Sequence, residues 1–177
     1  VLRWICCRST TFFIKANRNM PLEGDTRFNE LKKDYAKGYE LKGKTLGIIG
    51  LGRIGKAVAT IALGLGMKVI AYDPEQQEAT ITLSFFDGRS LDFVIKTISK
   101  EEVLKQADFI TLHIPAQKEA VIGEKEFQQM KDGVGIINVA RGGVIDEEAL
   151  LHALEHEKVA FAGLDVFEGE PTPSIRI

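Results

Sequence analysis

A chain of 177 residues with 45% hydrophobic content has material for one ordinary domain with a real core, and too little for two. Its formal net charge of -2 and pI near 6.0 give no basic footprint for nucleic acid or an anionic membrane surface, so a small soluble ligand is the expected partner. The two cysteines, Cys6 and Cys7, are adjacent and poorly placed to bridge each other, which excludes a disulfide scaffold and fits a reducing compartment, the cytoplasm.

Residues 1–14 are apolar in patches but broken by Arg3, Arg8 and Ser9-Thr10-Thr11. They fall short of the ~20 apolar residues a membrane helix needs. They also lack the clean apolar core and cleavage site of a signal peptide, and read as the interior of a longer chain. From Asn17 to Gly43 the sequence is charged and punctuated by Pro21, Gly24, Gly38 and Gly43, which predicts loop and short helix. The expected division is a lead-in segment over 1–42 and one domain over 43–177.

Regular organisation begins at Thr45. The run 45–50 is short, apolar and rich in branched residues, which suits a strand buried on both faces of a parallel sheet. A glycine loop follows, then Ile54, Ala57, Val58, Ile61 and Leu65 at helical spacing, then a strand over 68–73 ended by Pro74. Strand, glycine turn, helix and strand within about 30 residues make a βαβ unit. Over 79–98, branched or aromatic residues alternate with polar ones on both sides of Asp87-Gly88, which predicts an inserted β-hairpin with a type I′ turn. It follows Asp73 at one end of the sheet and reads as a surface flap shielding an edge, with a functional lid the alternative. Further on, helices are expected over 101–106, 124–130 and 146–157, and strands over 107–114, 134–140 and 159–167. The fold class is therefore α/β: a doubly wound parallel sheet of the Rossmann type carrying a hairpin.

The loop Gly50-Leu51-Gly52-Arg53-Ile54-Gly55 matches G-x-G-x-x-G between a strand and a helix. Gly50 permits the tight turn, Gly52 the approach of a pyrophosphate, and Gly55 close packing of helix on sheet. The helix amides and dipole then face the phosphates. Asp73 ends the second strand 18 residues after Gly55, where a carboxylate can accept the hydroxyls of a ribose. A 2′-phosphate would meet a like charge there, so NAD is expected over NADP, with Arg53 a partial counterweight. The bland alternative is that Asp73 starts a turn with Pro74.

Three later segments carry a resemblance. Residues 137–146 (Ile-Asn-Val-Ala-Arg-Gly-Gly-Val-Ile-Asp) run on into Glu147-Glu148-Ala149-Leu150. The other two are Gly163-Leu164-Asp165-Val166-Phe167-Glu168-Gly169-Glu170-Pro171 and Leu112-His113-Ile114-Pro115. Together with Asn17-Arg18-Asn19-Met20-Pro21, they resemble the D-2-hydroxyacid dehydrogenases that use NAD. Residues 17–43 and the hairpin most resemble the branch acting on 3-phosphoglycerate, in serine synthesis.

The resemblance implies oxidation of a small 2-hydroxy acid by a full-length homodimer or homotetramer. It implies that Arg141 is catalytic, borders the cofactor and binds the substrate carboxylate, a task for which a planar guanidinium fork is suited; a surface arginine satisfying helix-end carbonyls is the bland alternative. It makes Glu170 the partner of a catalytic histidine, Asp165 a neighbour of the nicotinamide amide, and Ile114, Pro115, Val139 and Ala140 part of the cofactor lining. That histidine belongs to a later Pro-His segment. The 177 residues are thus expected to be a fragment without most of the substrate domain, able to bind NAD and to turn over little substrate.

His113, near the end of a strand beside Pro115, reads as a packed structural histidine. His152 and His156 lie four apart on a helix, but two ligands without a third make a weak metal site. Rival readings are a D-lactate dehydrogenase or a glyoxylate or hydroxypyruvate reductase, an NAD-sensing corepressor module, and a non-catalytic domain for another nucleotide.

Overall fold

The computed structural model describes residues 40–169, with Asn29. The chain forms two compact units, Val1–Lys42 and Gly43–Ile177. The second unit begins with β1 (Thr45–Ile49), α1 (Arg53–Gly64), β2 (Lys68–Tyr72), β3 (Glu78–Ser84) and β4 (Ser90–Lys96). It continues with α2 (Lys100–Gln106), β5 (Phe109–Leu112), α3 (Glu124–Gln129), β6 (Val134–Asn138), α4 (Glu147–Glu155) and β7 (Val159–Leu164).

Five strands form one all-parallel sheet in the order β2-β1-β5-β6-β7. The central strands β5 and β6 are buried at every position, and so is β1 apart from half-buried Thr45. That is why their sequences are unbroken apolar runs rather than alternating ones: helices cover both faces. On one face of the sheet Ile49, Ile110, Leu112 and Ile136 pack with Phe127 of α3 and Leu150 of α4 in one core cluster, while Leu46 and Ile48 are buried on the other face. Burying a side chain of this kind is worth roughly 1.5–3 kcal/mol.

Helix starts are set by local chemistry. Ser99 and Glu102 close a reciprocal capping box on α2, and Asp146 accepts the Ala149 N–H at 3.0 Å to cap α4. The first turn of α1 has neither a side-chain cap nor an acidic residue.

The hairpin β3–β4 is present, but its turn differs from expectation. A type I′ turn needs positive φ at both central residues, and among the described residues Glu157 is the sole non-glycine with positive φ. Instead Gly88 N–H bonds Phe85 C=O at 3.1 Å, with Gly88 itself at φ +83. Asp87 accepts the Arg89 N–H at 3.1 Å and Nε–H at 2.7 Å, so its carboxylate stabilises a longer loop. Strands expected over 107–114 and 159–167 are also shorter. Asp108 turns its carboxylate to the Thr45 N–H at 2.8 Å, and β7 ends at Leu164, beyond which the Phe167 carbonyl comes up against the turn at Gly142.

Candidate functional site

Because the sheet is parallel, the carboxyl ends of all five strands open on one edge. The chain winds from β1 to β2 on one side, then returns across β1 to β5 on the other. Such a reversal leaves a crevice above β1 and β5, where open α/β sheets bind ligands. The segments after the strands are Gly50–Gly52, Asp73, His113–Pro115, Val139–Arg141 and Asp165.

Gly50 turns the chain at φ +95, and a side chain there would strike the His113 carbonyl oxygen at 2.6 Å. Gly55 lies so close to the Gly50 carbonyl that a Cβ would stand 2.1 Å from its oxygen. The fold itself requires both glycines. Gly52 is different: its φ is -69, open to any residue, and a Cβ built on it meets nothing within 4 Å. The space above it is empty of protein, and beneath lie the amides of Arg53, Ile54 and Gly55, which precede the first helical bond from Lys56 N–H to Gly52 C=O. An uncapped helix start, free of acidic residues and roofed by a glycine that packing does not demand, fits a diphosphate.

Asp73 points at this loop. Its Oδ2 accepts the Leu51 N–H at 2.7 Å, while Oδ1 accepts the amides of Glu75 (2.9 Å) and Gln76 (3.1 Å). It does start the turn with Pro74 and also braces the glycine loop. Three bonds use most of a carboxylate's roughly four acceptor sites, leaving one for a ligand hydroxyl.

Across the crevice, half-buried Ile114 carries a methyl group that would lie 2.9 Å from a Cβ at Gly50, and Pro115 beyond it is exposed. His113 bonds Thr111 Oγ1 through Nε2 at 3.0 Å, and burial pushes its pKa down to about 4, so the ring is neutral at pH 7. At the end of β6, Val139 is half-buried and Ala140 buried, whereas Arg141 is exposed, with Nη1 donating to the Ala140 carbonyl at 2.6 Å. Asp165 is exposed, and its N–H donates to the Asn138 carbonyl at 3.0 Å. Arg53 and Ile54 are exposed on α1. Glu170 lies outside the described residues.

His152 and His156 lie with ring centroids 4.1 Å apart, tilted by 39°, at the C-terminal end of α4, where His152 Nδ1 is 3.6 Å from Glu124 of α3. No group of three or more potential metal ligands occurs among the described residues. Nor is any described helix long and apolar enough to cross a membrane.

Two residues that shape this edge are absent from the sequence-based expectations. Asn138, 2% exposed, holds the turn bearing Arg141, and Glu147 accepts the Glu168 N–H at 2.6 Å. An asparagine closing an otherwise apolar buried strand is the available signal for the first. For the second there is none, because its partner lies 21 residues away.

Sheet order, glycine loop and carboxylate define a dinucleotide-binding domain. Residues 10–176 match the NAD-binding domain of the D-isomer specific 2-hydroxyacid dehydrogenases, and the chain belongs to that family. It is 47% identical over 148 residues to a hydroxypyruvate reductase of Thermotoga maritima, covering 82% of this chain and 44% of that protein. With a D-3-phosphoglycerate dehydrogenase of Archaeoglobus fulgidus it shares 41% over 162 residues, covering 89% and 29%. Among solved structures, holo D-mandelate dehydrogenase of Rhodotorula graminis superposes with a TM-score of 0.74 at 32% identity, covering 95% of this chain and 47% of that one. The NAD-complexed D-isomer specific 2-hydroxyacid dehydrogenase of Lactobacillus delbrueckii gives 0.66 at 32%, covering 98% and 50%. The chain thus spans less than half the length of the two curated relatives.

Proposed function

We propose that this chain is the cofactor-binding part of an enzyme that moves hydride between NAD and C2 of a D-2-hydroxy acid. The carrying observation is that one sheet edge brings together the glycine loop, Asp73 and the Arg141 turn. In this reading the amides of residues 53–55 hold the diphosphate and Asp73 an adenosine ribose hydroxyl. Ile114, Pro115, Val139 and Ala140 line the cofactor, and Asp165 faces the nicotinamide amide. Bound NAD supplies the hydride acceptor. Arg141 releases the Ala140 carbonyl and takes the substrate carboxylate with its fork, fixing C2. Glu170 would orient a histidine of the whole enzyme so that it could accept the hydroxyl proton.

For the substrate we propose 3-phosphoglycerate, supported by matches to two phosphoglycerate dehydrogenases that each cover 89% of the chain. Hydroxypyruvate or glyoxylate is the competing choice, favoured by the 47% and 48% identities to reductases. A cytoplasmic homodimer or homotetramer completes the reading.

The test is equilibrium titration of the chain with NAD and NADP, followed by 3-phosphoglycerate against the NAD-loaded form and by hydroxypyruvate and glyoxylate against the NADH-loaded form. NAD is expected to bind more tightly than NADP, and Asp73→Ala to narrow the gap. Equal binding of NAD, NADP and ATP, unaffected by that substitution, would sink the reading.

A further inference from the structure

The turn that carries Arg141 is held by a single buried side chain. Asn138 closes β6, and its amide spans the turn: Oδ1 accepts the Ala140 N–H at 3.1 Å, and Nδ2 donates to the Arg141 carbonyl at 2.9 Å. Its own carbonyl takes the Asp165 N–H at 3.0 Å, which ties the same residue to the exit of β7. On the far side of Arg141, a Cβ at Gly142 would stand 1.9 Å from the Phe167 carbonyl oxygen, so the turn rests backbone to backbone on the next segment. The Arg141 main chain is therefore fixed on both flanks, while its guanidinium is exposed and bonded only to the Ala140 carbonyl among the described residues.

We infer that Asn138 is a positioning residue for substrate binding: its side-chain amide sets the direction in which Arg141 leaves the sheet edge. The inference rests on the assignment of Arg141 to the substrate carboxylate. Packing alone does not account for the residue type. Burying an amide is costly unless its groups are paired, and packing alone would be met at this position by an apolar residue as at the rest of β6. Asparagine supplies an acceptor and a donor in the one geometry that bridges the Ala140 N–H and the Arg141 carbonyl. Aspartate has the same shape but, when ionised, sets a carboxylate oxygen against the Arg141 carbonyl. Once protonated it regains a donor, and burial raises a carboxylate's pKa so that protonation is reached in mild acid.

The experiment compares wild type with Asn138→Ala, Asn138→Asp and Arg141→Ala, measuring NADH affinity and the affinity of the NADH-loaded chain for hydroxypyruvate, at about pH 7.5 and near pH 5. Taking each variant as a ratio to wild type at the same pH cancels the titration of Asp165, Glu147 and Glu168, which border the turn. At the higher pH both Asn138 variants are expected to lose about tenfold or more in hydroxypyruvate affinity, with NADH affinity within about twofold of wild type. At the lower pH Asn138→Asp recovers most of the loss and Asn138→Ala none, a difference that a general loss of packing would not produce. Unchanged hydroxypyruvate affinity in both variants, a parallel loss of NADH affinity, or equal behaviour of the two at both pH values overturns the inference. If Arg141→Ala binds hydroxypyruvate as wild type does, the assignment of Arg141 fails and this inference with it. If Arg141→Ala loses binding while the Asn138 variants keep it, only the positioning role falls.

Discussion

Gly52 separates what the fold needs from what a ligand needs. Gly50 and Gly55 are enforced by backbone contacts, so their presence says little about binding. At Gly52 the conformation is ordinary and the space is open. Serine is a favoured residue at a helix N-cap. Gly52→Ser is accordingly expected to leave thermal stability unchanged or raise it by a few tenths of a kcal/mol, while weakening NAD by about tenfold or more, because a side chain then stands where the phosphates approach. Paired melting curves and NAD titrations check this, and a variant that binds NAD normally would remove the structural reason for placing the diphosphate here. Both possibilities for Asp73 are legible in the sequence, ribose acceptor or turn former. Its third job, bracing Leu51, depends on β2 lying beside β1.

At the scale of elements, the helices are positioned by caps that the sequence displays. Glu147 and Glu148 sit in the first turn of α4, with Asp146 at its cap. Asp146→Ala is expected to cost about 1 kcal/mol, lowering the melting temperature by roughly 2–4 °C for a chain of this size. A change under a degree would mean that tertiary packing alone holds the helix. The hairpin marks the limit of local patterns. Its alternation is plain, and the register that pairs Ala79 with Ile95 and Ile81 with Phe93 follows from it. Its turn departs from expectation because an Asp-Gly pair favours one geometry in isolation, whereas here the Asp87 carboxylate takes two bonds from Arg89 and holds a longer loop.

For the whole molecule, buried and paired groups set the response to acid. His113 in the folded chain titrates at about 4, below the ~6.5 of an unfolded histidine. The unfolded state therefore binds the extra proton, and stability falls as pH drops from about 6.5 toward 4. For Asp108, partial burial pushes the pKa up, but the Thr45 amide and the Lys131 ammonium outweigh it and hold the carboxyl below its usual value. Glu126 shows the same balance, with burial outweighed by Lys100 and the Gly123 amide. A carboxylate with a depressed folded pKa contributes stability above its unfolded value near 4, and that contribution is lost as pH falls further. Denaturant melts against pH are thus expected to show two successive losses. His113→Gln should remove the first and Asp108→Asn should reduce the second. A flat profile between pH 7 and 4.5 in the wild type would contradict the buried, neutral histidine.

The fold class, the order of strands and helices, and the glycine loop can be read from the sequence because each rests on neighbours within a few residues: apolar runs, turn glycines and first-turn acids are local causes. The tertiary structure decided how segments far apart in the chain share one edge. Leu51 bonds Asp73 across 22 residues, Gly142 leans on Phe167, and Asn138 anchors the turn of Arg141 while receiving a bond from Asp165. Those contacts arise from parallel pairing of strands distant in sequence, and no pattern within any single segment encodes which partner it will meet.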